Sequence, residues 1–115
     1  MKCDNDDYVV LCCYYGYWEE GSRKLWEYIL RNYDIDIVLD IGAYTGIYSL
    51  LSQKINPKLN VHAFEPLYYN FNRLIENCKI NDFNMIKNHN IAVSNKKDRV
   101  VFEFNHCDHA KTTGG

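Results

Sequence analysis

Two acids and a pair of glycines are the residues of this chain best placed to do chemistry. Asp40 sits near the end of a short apolar run, Ile35 to Ile41 (IDIVLDI), and Gly42-Ala43-Tyr44-Thr45-Gly46 follows it. Glu65 ends a second run, Val61 to Glu65 (VHAFE), about one strand–helix unit further on, and Pro66 comes next. In an open α/β sheet, ligands bind beyond the carboxyl ends of the strands, and both acids would stand there. Gly42 lets the backbone turn tightly and approach a ligand without a Cβ clash, and Gly46 lets a helix start close to the sheet. An acid at the tip of the neighbouring strand is placed to accept hydrogen bonds from two ribose hydroxyls. Together these residues describe a nucleoside site.

The glycine spacing narrows the nucleoside. A dinucleotide site carries G-x-G-x-x-G with a pyrophosphate on the helix N-terminus. Here the glycines are spaced G-x-x-x-G, with an acid two residues before the first. An acid suits the sulfonium and ammonium of S-adenosylmethionine better than it suits a pyrophosphate. An NAD-dependent oxidoreductase fragment is the competing enzyme reading, disfavoured by the missing glycine. A non-catalytic nucleoside-binding or interaction module is the competing reading from another class.

The elements that must hold these residues follow from periodicity. Tyr8 to Tyr17 is β-branched and aromatic and favours extended structure. Ser22 is a candidate cap for a helix over Arg23 to Tyr33, whose Leu25, Trp26, Ile29, Leu30 and Tyr33 make one apolar stripe. The run Ile35–Ile41 predicts a strand, Ile47 to about Lys54 a helix, and Val61–Glu65 a second strand. Pro66 suits the first position of a third helix, whose Leu67, Phe71, Leu74, Ile75 and Cys78 share a face and which Asn81 and Asp82 end. Met85 to Val93 predicts a third strand, Asn95 to Asp98 a turn, and Val100 to Phe104 a fourth strand as the second arm of a hairpin. Alternating strands and helices imply right-handed crossovers and a parallel sheet.

These segments resemble, in order, the FkbM-type methyltransferases. VLDIGAYTGIYSL (Val38 to Leu50) is similar to that family's first motif, close to D-x-G-A-N-x-G. AFEPLYYNFNRLIENCKIND (Ala63 to Asp82) is similar to its acidic strand end, proline and long helix, and IAVSNKKDRVVFEF (Ile91 to Phe104) to its A-V-S strand end and hairpin. Gly16-Tyr17-Trp18-Glu19 is similar to its upstream G-x-x-E. The resemblance implies a Rossmann-like class I fold, S-adenosylmethionine as cofactor, and O-methyl transfer to a hydroxyl of a small molecule or sugar. It implies that Asp40, Gly42, Ala43 and Gly46 cradle the methionine part and that Glu65 holds the ribose, with Pro66 shaping the adenine edge. Ile91 and Ala92 would lie near the adenine, and Glu19 joins the cofactor-binding set. Tyr44 stands where the family commonly has Asn, which alters contacts to the cofactor carboxylate. No residue is assigned as a catalytic base.

The family continues past the point this sequence reaches. The expectation is therefore a truncated α/β fold: three parallel strands with flanking helices plus a hairpin. It forms one methyltransferase-like domain, with residues 1–34 an N-terminal strand and helix, 35–93 the cofactor-binding core, and 94–115 the hairpin and an unfinished loop. In the class I sheet the first strand is central. Loss of later strands would leave its far edge bare, so a homodimer or complementing fragment is expected to cover it, and the lone chain to be weak or inactive.

Composition agrees with one soluble domain: 115 residues, 47% apolar and 24% charged. Thirteen basic and fifteen acidic residues give 13 − 15 = −2, which offers no footprint for nucleic acid or an anionic membrane. The N-terminus MKCDNDD has acids where a signal peptide would be basic, and five irregularly spaced cysteines read as free thiols in a reducing cytoplasm. Cys12 and Cys13 are neighbours that would point to opposite faces of a strand. Cys78, His106, Cys107 and His109 fit no standard zinc spacing, so no metal is expected.

Overall fold

The computed structural model describes residues 19–99 and 101. The expected strand at Tyr8–Tyr17, the hairpin arm at Val100–Phe104 apart from Val101, and the cysteines and histidines outside this range lie beyond the described residues. Within it the order is α1 (Glu20–Asn32), β1 (Ile37–Ile41), α2 (Ile47–Ile55), β2 (Asn60–Phe64), α3 (Tyr68–Ile80) and β3 (Ile86–His89). The three strands form one sheet in the order β1-β2-β3, and both pairings are parallel. Parallel neighbours need a crossover, and the helical patterns between the apolar runs supply one each time.

Strand alternation decides what is covered. Val38, Val61, Ala63 and Ile86 point to one face and are buried, together with Leu50, Leu74 and Cys78 from the helices. All three helices contribute to this face, since Trp26 and Leu30 of α1 pack on the same cluster. Trp26 Nε1 also donates to Ser52 Oγ at 2.8 Å, which fixes α1 against α2. On the other face Ile37, Leu39 and Ile41 remain 50–59% exposed. Beside them His62 and His89 stack and share a ring-nitrogen contact of 3.1 Å. The sheet is therefore covered on one side only among the described residues.

Several boundaries differ from the sequence reading. Ser22 lies inside α1, whose N-cap is Glu19 in a left-handed conformation (φ 44°). Glu20 at the start and Arg31 at the end complement the helix dipole, and Glu20–Lys24 and Glu27–Arg31 are i,i+4 ion pairs. Both pairs are exposed and screened by solvent, so neither anchors the helix. The stripe of α1 is split: Leu25, Ile29 and Tyr33 stay exposed. Pro66 precedes the N-cap Leu67 of α3 and does not open the helix. The end of α3 matches the Asn81–Asp82 expectation. Asp82 is left-handed (φ 55°), and Asp82 and Phe83 N–H donate back to Lys79 and Cys78 carbonyls, a Schellman arrangement.

β3 stops at His89, four residues before the expected end. Asn90 explains the stop. Its Nδ2 donates to the Glu65 carbonyl at 2.9 Å and the Pro66 carbonyl at 3.1 Å, so a side chain takes over where the ladder would continue. Ile91 and Val93 are more than half exposed past that point.

Candidate functional site

The loop between β1 and α2 is held from both sides. Gly42 and Ala43 N–H both donate to the Phe64 carbonyl at 2.9 Å, which ties the loop to the end of β2. Tyr44 N–H donates to Glu65 Oε2 at 2.8 Å. Gly42 (φ 74°) and Gly46 (φ 96°) take positive φ as their types allow, but Tyr44 is also left-handed (φ 58°). Asn tolerates that conformation and a bulky residue does not, so Tyr44 depends on the bond from Glu65.

Asp40 faces the helices, on the same side of β1 as Val38. Its Oδ2 accepts from Ser49 Oγ at 2.7 Å and Ser49 N–H at 3.2 Å, so the strand acid serves the first turn of α2. Gly46 is the N-cap of that helix. A Cβ at Gly46 would run into the Leu74 side chain. The close approach it permits is to α3, not to the sheet as the sequence reading has it.

A cavity of about 670 Å³ opens beside this loop. Asp40, Gly42, Ala43, Tyr44 and Glu19 line it, and so do Ser22, read from the sequence only as a helix cap, and Tyr48, which sequence reasoning did not single out. Two of these lining residues meet, as the Tyr48 hydroxyl donates to Glu19 Oε2 at 2.6 Å. Burial first, then the carboxylate that accepts its proton, push the Tyr48 hydroxyl up to about 12. Leu25 and Ile29 of α1 and Leu39 and Ile41 of β1 add an apolar part to the lining.

Glu65 is fully buried and its carboxylate is turned inward. Oε2 takes the Tyr44 N–H, and Oε1 takes the Leu67 N–H at 2.9 Å. The acid expected to present itself to a ribose here braces two backbone segments. The signal was present in the sequence, because Val61, Ala63 and Glu65 share one strand parity and the first two are core. Gly46, Glu65, Pro66, Ile91 and Ala92 do not line the cavity. Ile91 and Ala92 lie in exposed chain past β3.

Burial raises both carboxyls above their ordinary values, which the Ser49 bonds on Asp40 and the Leu67 bond on Glu65 only partly offset. Asp40 contributes a further upward push on Glu65. A carboxyl with a raised folded-state pKa stabilises the fold below its unfolded pKa, and that contribution is lost as pH rises through the folded value. The window thus opens near the ordinary values of 3.8 and 4.5 and extends upward. The urea midpoint is expected to rise when pH is lowered from about 7 to about 5, and Asp40→Asn to flatten that rise. An unchanged slope in the variant would show that Asp40 does not drive the effect.

Among the described residues no group of three or more His, Cys, Asp or Glu is placed to hold a metal ion. No described helix is long and apolar enough to cross a membrane.

The fold has solved counterparts. A SAM-dependent methyltransferase from Agrobacterium tumefaciens superposes with a TM-score of 0.54 at 16% identity, over 61% of this chain and 23% of that one. A Staphylococcus aureus protein assigned as a caffeoyl-CoA O-methyltransferase superposes with a TM-score of 0.60 at 16% identity, over 76% and 44%. No family model and no curated protein sequence matches the chain. The architecture is the Rossmann-like fold of these methyltransferases, and the chain spans less than half the length of either.

Proposed function

We propose that this chain is the cofactor-binding part of an S-adenosylmethionine-dependent methyltransferase of the FkbM type, acting on a hydroxyl of a small molecule or sugar. The observation that carries this reading is the pairing of a strand-end carboxylate with a glycine loop on one cavity. Asp40 and Gly42 share its wall, and at Gly42 the space a Cβ would occupy is empty. A backbone can therefore come up against a ligand beside a negative charge. Such a site fits a cationic amino-acid nucleoside and gives a pyrophosphate nothing to gain.

When bound, S-adenosylmethionine supplies a methyl group made electrophilic by its sulfonium. Asp40 would offset positive charge on the methionine part, and Gly42 and Ala43 would admit it by close backbone contact. Glu65 keeps the loop in shape from behind, and a ribose contact would need it to turn outward. Glu19 and Tyr48, bonded to each other, form part of the cavity wall. The chain's share of catalysis would be orientation and exclusion of water, with acceptor oxygen and methyl carbon held in line.

Calorimetric titration of the chain with S-adenosylmethionine, S-adenosylhomocysteine and NAD tests this. Saturable binding of the two methionine nucleosides and none of NAD is expected. Asp40→Asn should weaken both about tenfold or more, since both carry an ammonium and a bond to a charged group is worth about 1.5–3 kcal/mol. Binding of NAD alone, or of no nucleoside by a folded chain, would sink the proposal.

A further inference from the structure

The cavity is lopsided in charge. Asp40 and Glu19 bring two carboxylates to it, and no Lys, Arg or His stands among its described lining residues. Three aromatic side chains, Trp26, Tyr44 and Tyr48, line it too. The faces of such rings are negative and attract cations. Tyr44 adds a buried hydroxyl without a hydrogen-bond partner, a donor left for a ligand's anionic group. A ligand of net positive charge is the one this lining suits.

The first turn of α2 sets the two acids apart. Ser49 is fully buried and turns toward β1, and both its bonds go to Asp40 Oδ2, which leaves Oδ1 for a ligand. Tyr48, the residue before it, points about 100° away around the helix. Its ring meets the edge of Trp26 of α1, with ring centroids 5.4 Å apart and 76° between the planes, and its hydroxyl holds Glu19. Asp40 thus stands on β1 beside the glycine loop, and Glu19 stands on α1 among the rings. The charge of Arg23 also reaches the Tyr48 hydroxyl, as the weakest of the influences on it.

S-adenosylmethionine carries two cationic centres, a short alkyl chain apart. Its ammonium donates hydrogen bonds and needs a free acceptor, which Asp40 Oδ1 supplies. Its sulfonium has no N–H or O–H to donate and is held by charge and aromatic faces, which Glu19 and the rings beside it supply. Methyl transfer breaks the sulfonium C–S bond with its electron pair left on sulfur and forms the C–O bond, and the hydroxyl proton passes to water. S-adenosylhomocysteine therefore keeps the ammonium and lacks the second cation.

We propose that Glu19, held by Tyr48, reads the sulfonium charge, so that the cavity prefers the methyl donor to its demethylated product. This rests on the S-adenosylmethionine reading above. Asp40 sets the affinity for both nucleosides, and Glu19 sets the ratio between them. Tyr48 is a positioning residue, since its bond fixes an otherwise exposed side chain at the N-cap of α1. The product leaves because the reaction removes the charge that Glu19 holds.

Calorimetric titration of the full chain with S-adenosylmethionine, S-adenosylhomocysteine and sinefungin tests this. In sinefungin an amine-bearing carbon replaces the sulfonium, so the charge is kept without a transferable methyl. The wild type should bind the two doubly cationic nucleosides about tenfold more tightly than S-adenosylhomocysteine. Glu19→Gln keeps the shape and an acceptor for Tyr48, and should bring that ratio to within about twofold by weakening the cationic pair alone. Asp40→Asn should weaken all three alike, and Tyr48→Phe should lower the ratio part of the way. Raising salt from about 50 to about 500 mM should shrink the ratio in the wild type, because Glu19 is exposed, and not in Glu19→Gln. A wild-type ratio near one, a ratio unchanged in Glu19→Gln, or a loss there shared by all three would overturn the proposal and leave the methyltransferase reading standing. Binding of none of the three by a folded chain would overturn both.

Discussion

Gly46→Ala is expected to lower the stability of this chain by about 2–5 kcal/mol. Two effects combine. Gly46 has φ 96°, which an L-residue with a Cβ adopts only at a cost of about 1–2 kcal/mol. The new methyl also lands on the Leu74 side chain, which is fully buried against the core and has nowhere to go. Forcing a well-packed side chain off its rotamer costs a further 1–3 kcal/mol or so. Leu74→Ala alone should also destabilise, by about 2–5 kcal/mol, because it leaves a cavity. The two losses should not add: in the double variant the methyl at residue 46 partly fills the space that Leu74 vacates. Urea midpoints of the four proteins check this. Additive losses would mean that strain at φ, and not the contact with α3, is what residue 46 resists.

How much of this could be read from the sequence depends on whether a feature is local. The sheet and its crossovers were legible because Val38, Val61, Ala63 and Ile86 repeat the strand parity, and Leu74 and Cys78 the helical one. The Asn81–Asp82 helix end was legible because the cap is made by the residues that name it. The start of α1 was not. Ser22 has the chemistry of a cap, yet the helix begins at Glu20 with Glu19 held left-handed, and Glu19 is bound to Tyr48 from another element. The end of β3 failed for a related reason. Ile91 and Val93 look like strand residues, but the Asn90 side chain bonds the chain after β2 and diverts the backbone. Asp40, Gly42, Ala43, Tyr44 and Glu19 line one cavity. What the motif alone could not give was the direction of Glu65, although the parity of Val61 and Ala63 pointed it inward.

That inward turn makes Glu65 the most consequential polar side chain of the site. Glu65→Ala should lower stability by about 2–5 kcal/mol, because the Leu67 and Tyr44 N–H groups both lose their acceptor and an unsatisfied buried donor costs about 1–3 kcal/mol. Part of this is returned, since the carboxyl is itself held above its ordinary pKa by burial and no longer has to be desolvated. Glu65→Gln separates the two terms. It keeps one oxygen for one N–H and presents an amide NH₂ to the other, so its loss should fall between those of the wild type and Glu65→Ala. Tyr44 is where the damage should concentrate. Its left-handed backbone is retained by the bond to Oε2, so the Gly42–Gly46 amides should exchange faster in Glu65→Ala than the amides of β2 do. Nucleoside binding should be lost in the same variant, through a loop that no longer holds its shape. If stability in Glu65→Ala changes by less than about 0.5 kcal/mol, the brace is ornamental. If binding then disappears with the loop still protected, Glu65 meets the nucleoside directly after turning outward.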